Sequence, residues 1–120
     1  MDNKTTIEDI KKQIKTFCDE RDWDQFHNAK DLAIGVSTEA NELLDIFRFK
    51  TEKQIEQYFK DEKKRLEITE EMSDVLYFVL RLAQRYGIDV STEFNKKMIK
   101  NGIKYPVELC KSLNASYKEL

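Results

Sequence analysis

Only three glycines, at positions 35, 87 and 102, and one proline, at 106, interrupt this chain of 120 residues. Glycine and proline are the residues that break helices and shape turns. A chain so poor in them, and rich in Glu, Lys, Leu and Ile, is expected to be mostly helical. The apolar spacing agrees. Thr5 or Thr6 can cap a first helix, with Glu8 or Asp9 three residues on, and Ile7, Ile10, Ile14 and Phe17 form its stripe. Residues 21–29 break that pattern and read as a loop with a short turn. A second helix is expected over 31–48. A short amphipathic stretch follows over 52–60, carrying Ile55, Tyr58 and Phe59. A long third helix is expected over 62–86, with Gly87 as its C-terminal cap. A last helix starts at Ser91 or Thr92 and ends near Asn101 or Gly102, and Pro106 forbids its continuation. Four main helices with short connections give an all-α, four-helix-bundle-like fold. The expected domain spans 1–107, and 108–120 is expected to be an irregular tail.

The charge balance narrows the partners. Charged residues make up 37% of the chain, 21 basic against 23 acidic, for a net charge of −2. No basic excess points to nucleic acid. No apolar run is long enough to span a membrane. The opening M-D-N-K-T-T has no apolar core and does not read as a secretory signal. Cys18 and Cys110 are far apart in sequence, lack C-x-x-C spacing and read as reduced thiols. A cytoplasmic protein is expected. Pairing between chains would help a helical protein of this size to hide its apolar surface, so an oligomer is expected as well.

The stretch S-T-E-A-N-E-L-L-D-I-F, 37–47, carries acids in an unusual place. At about 100° per residue, Val36, Ala40, Leu43 and Phe47 fall on one line, flanked by Ile46 and Leu44. Glu39 lands inside this apolar arc and Glu42 at its edge. A carboxylate there costs several kcal/mol unless it is paired, protonated or bound to a metal. The third helix has its own pair, Glu71 and Asp74, beside a stripe of Met72, Val75, Leu76, Val79, Leu80, Ala83 and Tyr86. Each pair is three residues apart, so both carboxylates share one helix surface. Four carboxylates in proximity need a compensating charge. A hard divalent cation such as Mg²⁺ supplies it and keeps waters that a phosphate can replace, which points to a phosphate-bearing substrate. Against this stands the plain fact that E-x-x-E spacing is common on solvated helices. A di-iron centre would need Glu-x-x-His on two helices, and the only histidine is His27 in a loop. Zinc would lack its nitrogen and sulfur ligands. The glycine-rich nucleotide loops are absent.

R-D-W-D-Q-F-H, E-A-N-E-L-L-D-I-F-R-F-K, E-E-M-S-D-V-L and K-M-I-K-N-G-I-K-Y-P, in this order from about residue 7 to 107, resemble the MazG-like all-α nucleoside triphosphate pyrophosphatases, and within them the dCTP pyrophosphatase branch. The resemblance implies a MazG fold and hydrolysis between the α and β phosphates, giving a monophosphate and pyrophosphate. It implies Mg²⁺ held by Glu39, Glu42, Glu71 and Asp74. It implies Lys97 and Asn101 near phosphate or metal, and Trp23 and His27 around base and sugar. It implies homotetramers, as dimers of dimers, with sites built from more than one chain. Two positions depart from the branch. Phe49 stands where a base-stacking tryptophan is expected, and Phe78 stands where a tyrosine would bring a hydroxyl. A phenyl ring still stacks, over less area.

The catalytic candidates are Glu39 and Glu42, either of which can accept a proton from the attacking water. The substrate-binding candidates are Trp23, His27, Phe49, Phe78, Lys97, Asn101, Lys104 and Tyr105. Ordinary roles compete with these. Lys97 lies in a run with Lys96 and Lys100 and can be a solvated lysine. Phe26 reads as core. Arg85 can pair with Asp74, Lys30 and Arg48 are further cations for a triphosphate, and Asp45 reads as a solvated acid. The leading expectation is a Mg²⁺-dependent pyrophosphohydrolase for dCTP or a related pyrimidine deoxynucleotide. The competing expectations are another nucleotide substrate, such as dUTP, a modified dNTP or phosphoribosyl-ATP, and a non-catalytic helical interaction module.

Overall fold

In a computed structural model, describing residues 1–114, the chain is all-α. Six helices follow one another: α1 (Ile7–Asp19), α2 (Ala29–Phe47), α3 (Glu52–Tyr58), α4 (Glu62–Arg85), α5 (Val90–Lys104) and α6 (Val107–Cys110).

Caps fix where each helix begins. Thr6 and Asp9 form a reciprocal capping box on α1, and Thr51 and Gln54 form another on α3. Helix α2 starts two residues earlier than the sequence expectation because Asn28 is its cap, accepting from the Asp31 amide at 2.8 Å. Asp61 caps α4, and Asp89, rather than Ser91 or Thr92, is the cap residue of α5. After α4 the chain turns at Gly87, whose φ of +63° is cheap only without a Cβ. Helix α5 runs through Gly102 to Lys104. The residue before Pro106, Tyr105, leaves helical geometry as proline requires. One further helical turn, α6, follows Pro106, where irregular chain was expected; residues 115–120 lie outside the described residues.

The chain contacts separate two compact units, Met1–Gly87 and the part from Ile88 onward. In the first, α2 and α4 are the principal helix pair, α1 packs on α4, and α3 touches α4 more lightly. Gly35 makes the α2–α4 contact close. A Cβ there would stand 2.4 Å from the Phe78 ring, so the ring lies where any other side chain would start. Ile14, Cys18, Leu32, Ile68, Leu80 and Ala83 are buried around this junction.

Much of the expected core stripe is not covered. Leu80 and Ala83 are buried, but Met72, Leu76, Val79 and Tyr86 are exposed, as is Phe17 of the first stripe. The apolar arc of α4 is wider than the surface that α1, α2 and α3 supply. What is left is a groove of about 630 Å³ lined by Leu43, Met72, Val75, Leu76 and Val79, among others. In the second unit α5 and α6 have no buried residue, and Phe94, Ile99 and Ile103 are exposed.

Candidate active site

Two helices deliver the acids. Glu39 and Glu42 stand one turn apart on α2, and Glu71 faces them from α4. One carboxylate oxygen from each of the three lies within 4.8 Å of the others. The close approach at Gly35, one turn before Glu39, sets the helix spacing that allows this. Asp74, one turn after Glu71, is not the fourth member of that cluster. It lines the adjoining cleft with Glu39, and its charge acts on Glu39.

The cluster is strained electrostatically. Oε2 of Glu39 and Oε2 of Glu71 are sealed from solvent and have no hydrogen-bond partner among the described residues. Buried polar atoms are normally paired, so two orphans in one cluster call for a partner. Burial above all, then the adjacent Glu42 carboxyl, then Asp74 and Glu71, push the Glu39 carboxyl up from 4.5 to about 7. Glu71 is raised as well, by burial first and by Glu42 next. An all-oxygen donor set with unsatisfied inward oxygens fits a hard divalent cation. Among the described residues no nitrogen or sulfur ligand joins the cluster, whose oxygen donors do not suit zinc.

Beside the acids is a cleft of about 260 Å³ lined by Phe17, Trp23, Glu39, Asp74, Tyr77 and Phe78. The rings brace one another edge to face: Phe17 and Trp23 at 5.6 Å, Phe17 and Tyr77 at 6.1 Å, Tyr77 and Phe78 at 5.0 Å between centroids. Tyr77 is anchored by its hydroxyl, 3.2 Å from the buried Cys18 sulfur, and burial pushes that hydroxyl's pKa up. The Arg21 guanidinium stacks on the outer side of Phe17 at 3.8 Å. Sites for whole ligands usually enclose roughly 300–1,000 Å³. This cleft lies just below that range, with carboxylates at its edge.

Of the sequence-derived candidates, Glu39, Asp74, Trp23 and Phe78 meet at the cleft, and Glu42 and Glu71 complete the acidic cluster. His27 stacks obliquely on Trp23 at 5.8 Å. Phe49 does not line the cleft. It is 90% exposed, at a left-handed φ of +64°, with the Arg48 guanidinium 4.6 Å from its ring. Lys97, Asn101, Lys104 and Tyr105 belong to the second unit, where Asn101 is half-buried and Lys97 exposed. Phe26, read as core, is 60% exposed, because its loop turns it outward. Arg85 pairs with Asp24, Nη1 to Oδ2 at 3.7 Å, and not with Asp74. Asp45 is a solvated acid, paired with Arg48 at 3.1 Å.

Sequence reasoning missed Phe17, Tyr77 and Arg81. Phe17 passed as core because it falls on the α1 stripe. Tyr77 lies off the α4 stripe, and its bond to Cys18 joins residues 59 apart. Arg81 carried a signal, a lone cation in the apolar run V-L-R-L-A.

The profile of the MazG-like family matches residues 34–120. The human protein called dCTP pyrophosphatase 1 is 35% identical over 115 residues, covering 96% of this chain and 68% of that protein, and its rat counterpart is 34% identical over the same coverage. The crystal structure of a pyrophosphatase from Archaeoglobus fulgidus superposes with a TM-score of 0.77 at 32% identity, covering 83% of this chain and 92% of that one. With the acidic cluster and fold in agreement, the chain belongs to the MazG-like family.

Proposed function

We propose that this chain hydrolyses dCTP, or a related pyrimidine deoxynucleoside triphosphate, to the monophosphate and pyrophosphate with the help of Mg²⁺. The broader activity, pyrophosphate-releasing hydrolysis of a nucleoside triphosphate, rests on family membership and on relatives that carry dCTP pyrophosphatase and pyrophosphatase names. The observation that carries the reading is the pair of sealed, unpartnered oxygens of Glu39 and Glu71, at the edge of an aromatic cleft.

Glu39, Glu42 and Glu71 would hold the ion, with Asp74 adjacent. Bound there, Mg²⁺ supplies charge neutralisation and Lewis acidity toward phosphate oxygens. The chain's own groups do the rest. Trp23, Phe17, Tyr77 and Phe78 take the base between ring faces and edges. Glu39 or Glu42 accepts a proton from the water that attacks the α-phosphorus. The new oxygen–phosphorus bond forms as the bond to the oxygen bridging to the β-phosphorus breaks, and pyrophosphate leaves. On the resemblance of their motifs, Lys97 and Asn101 are assigned near the phosphates or the metal, Phe49 to the base, and Lys104 and Tyr105 to the edge of the site. The uncovered groove on α4 supports assembly of copies, for which a homotetramer is the proposed form. Two free cysteines fit a reducing, cytoplasmic setting.

The test is pyrophosphate release from a panel of NTPs, dNTPs and modified dNTPs, with Mg²⁺ and with EDTA, for wild type and Glu39→Gln. Mg²⁺-dependent release that the variant loses is the expected result. Folded protein that releases pyrophosphate from none of them refutes the reading.

A further inference from the structure

Arg81 is completely buried and carries a full charge, yet it lines neither the acidic cluster nor the cleft. A guanidinium does not lose its proton in a protein, and a buried one must find acceptors. Nη2 donates to Asp24 Oδ1, Nη1 donates to Gln84 Oε1, and Nε donates to His27 Nδ1 at 2.9 Å. The last bond decides the state of the imidazole. Arginine has no acceptor, so Nδ1 must offer its lone pair. The ring proton then resides on Nε2. A tautomer protonated at Nδ1, or an imidazolium, would set N–H against N–H.

The surroundings favour the same state. Arg81 and Arg85 face His27 from α4, Asp24 faces it from the preceding loop, and Asp31 from the first turn of α2. Arg85 Nε also approaches the His27 carbonyl oxygen at 3.4 Å. Burial first, and Arg81 second, hold the imidazole pKa below its ordinary 6.5 in spite of the two carboxylates. Nε2 makes no hydrogen bond among the described residues. The ring lies against Trp23, a wall of the cleft.

We propose that Arg81 is a positioning residue: by donating to Nδ1 it fixes His27 as the neutral Nε2–H tautomer, which serves as an obligate donor to an oxygen of the bound nucleotide. His27 then acts neither as a base nor as a cation. The donor half of this proposal rests on the nucleotide reading of the cleft; the tautomer half does not.

His27 is the only histidine, so a ¹⁵N-labelled sample has one imidazole to observe. Long-range ¹H–¹⁵N correlation of the wild type should show an unprotonated Nδ1 and a protonated Nε2. The pattern should persist as pH falls through about 6.5, where a free histidine titrates. Arg81→Met should restore titration and mix the tautomers. Because the wild type alone decides the lock, the outcome stands even if that variant fails to fold. Adding dCMP with Mg²⁺ should shift the Nε2–H signal, and His27→Phe should raise KM several-fold with kcat nearly unchanged. Deoxycytidine and inorganic pyrophosphate, added separately, locate the acceptor on the nucleoside or on the phosphates. A wild-type ring protonated at Nδ1, or titrating normally, overturns the lock. A locked ring whose signal ignores saturating dCMP, in protein that does hydrolyse a deoxynucleotide, overturns the donor role. Absence of hydrolysis with every nucleotide defeats the proposed function and the donor role together, and leaves the tautomer result to judge Arg81.

Discussion

Replacing Glu39 with glutamine should abolish activity and, without metal, make the protein more stable. The carboxyl is held near 7, against an ordinary 4.5, because its charged form is desolvated and faces Glu42, Asp74 and Glu71. The folded protein therefore binds this proton more tightly than the unfolded chain. The stability it contributes is fully present below about pH 4.5 and is lost as pH rises through about 7. A displacement of that size corresponds to about 3 kcal/mol. Glu39 is only half-buried, and solvent screens its neighbours, so about 1–2 kcal/mol is the reasonable expectation. Glutamine has similar shape and no charge to lose. In EDTA, at one fixed protein concentration, Glu39→Gln should melt about 4–8 °C above wild type at pH 8, by the usual conversion for a chain of this size. At pH 4.5 the two should nearly coincide. Mg²⁺ should then raise the wild-type Tm by mass action and leave the variant nearly unmoved. A variant no more stable than wild type at pH 8, or equally stabilised at both pH values, would show that repulsion does not act on Glu39 and would refute the reasoning.

Gly35→Ala should cost about 1–3 kcal/mol in a denaturant melt and also lower kcat/KM, because the new methyl meets the Phe78 ring and shifts α2 against α4; unchanged activity would mean that the acids do not depend on that spacing. Trp23→Ala should raise KM by tenfold or more while kcat changes less, measured by steady-state pyrophosphate release, since one wall of the cleft is removed. Leu76→Glu places a charge in the open α4 groove and should lower the assembly size seen by light scattering, whereas the change is harmless if the groove faces water in solution.

The helices were legible because their causes are local. Scarce breakers, caps within a few residues and a 3.6-residue period are all written along the chain. So was the anomaly of Glu39, since its place in the apolar arc of α2 follows from spacing alone. The boundaries slipped where two caps competed, as at Asn28 and Asp89. Which of several plausible partners each group meets was not legible. The stripe of α4 shows that Met72 and Leu76 are apolar, not that this chain leaves them uncovered. Arg85 was expected beside Asp74 on its own helix, yet Asp24 from the distant loop claims it. Phe49 was expected at the base; it sits at a left-handed φ of +64° and is not among the residues that line this cleft.

The sequence by itself therefore determined an all-α chain with two acidic pairs on its two most apolar helices, because helix period and side-chain chemistry are properties of neighbouring residues. Only the tertiary structure decided that three of those acids converge while Asp74 borders the cleft, that Tyr77 and Phe17 wall it, and that a buried arginine dictates the state of the single histidine. Those outcomes depend on how closely α2 can approach α4 at Gly35 and on where the 21–28 loop folds back, distances that no spacing along the chain encodes.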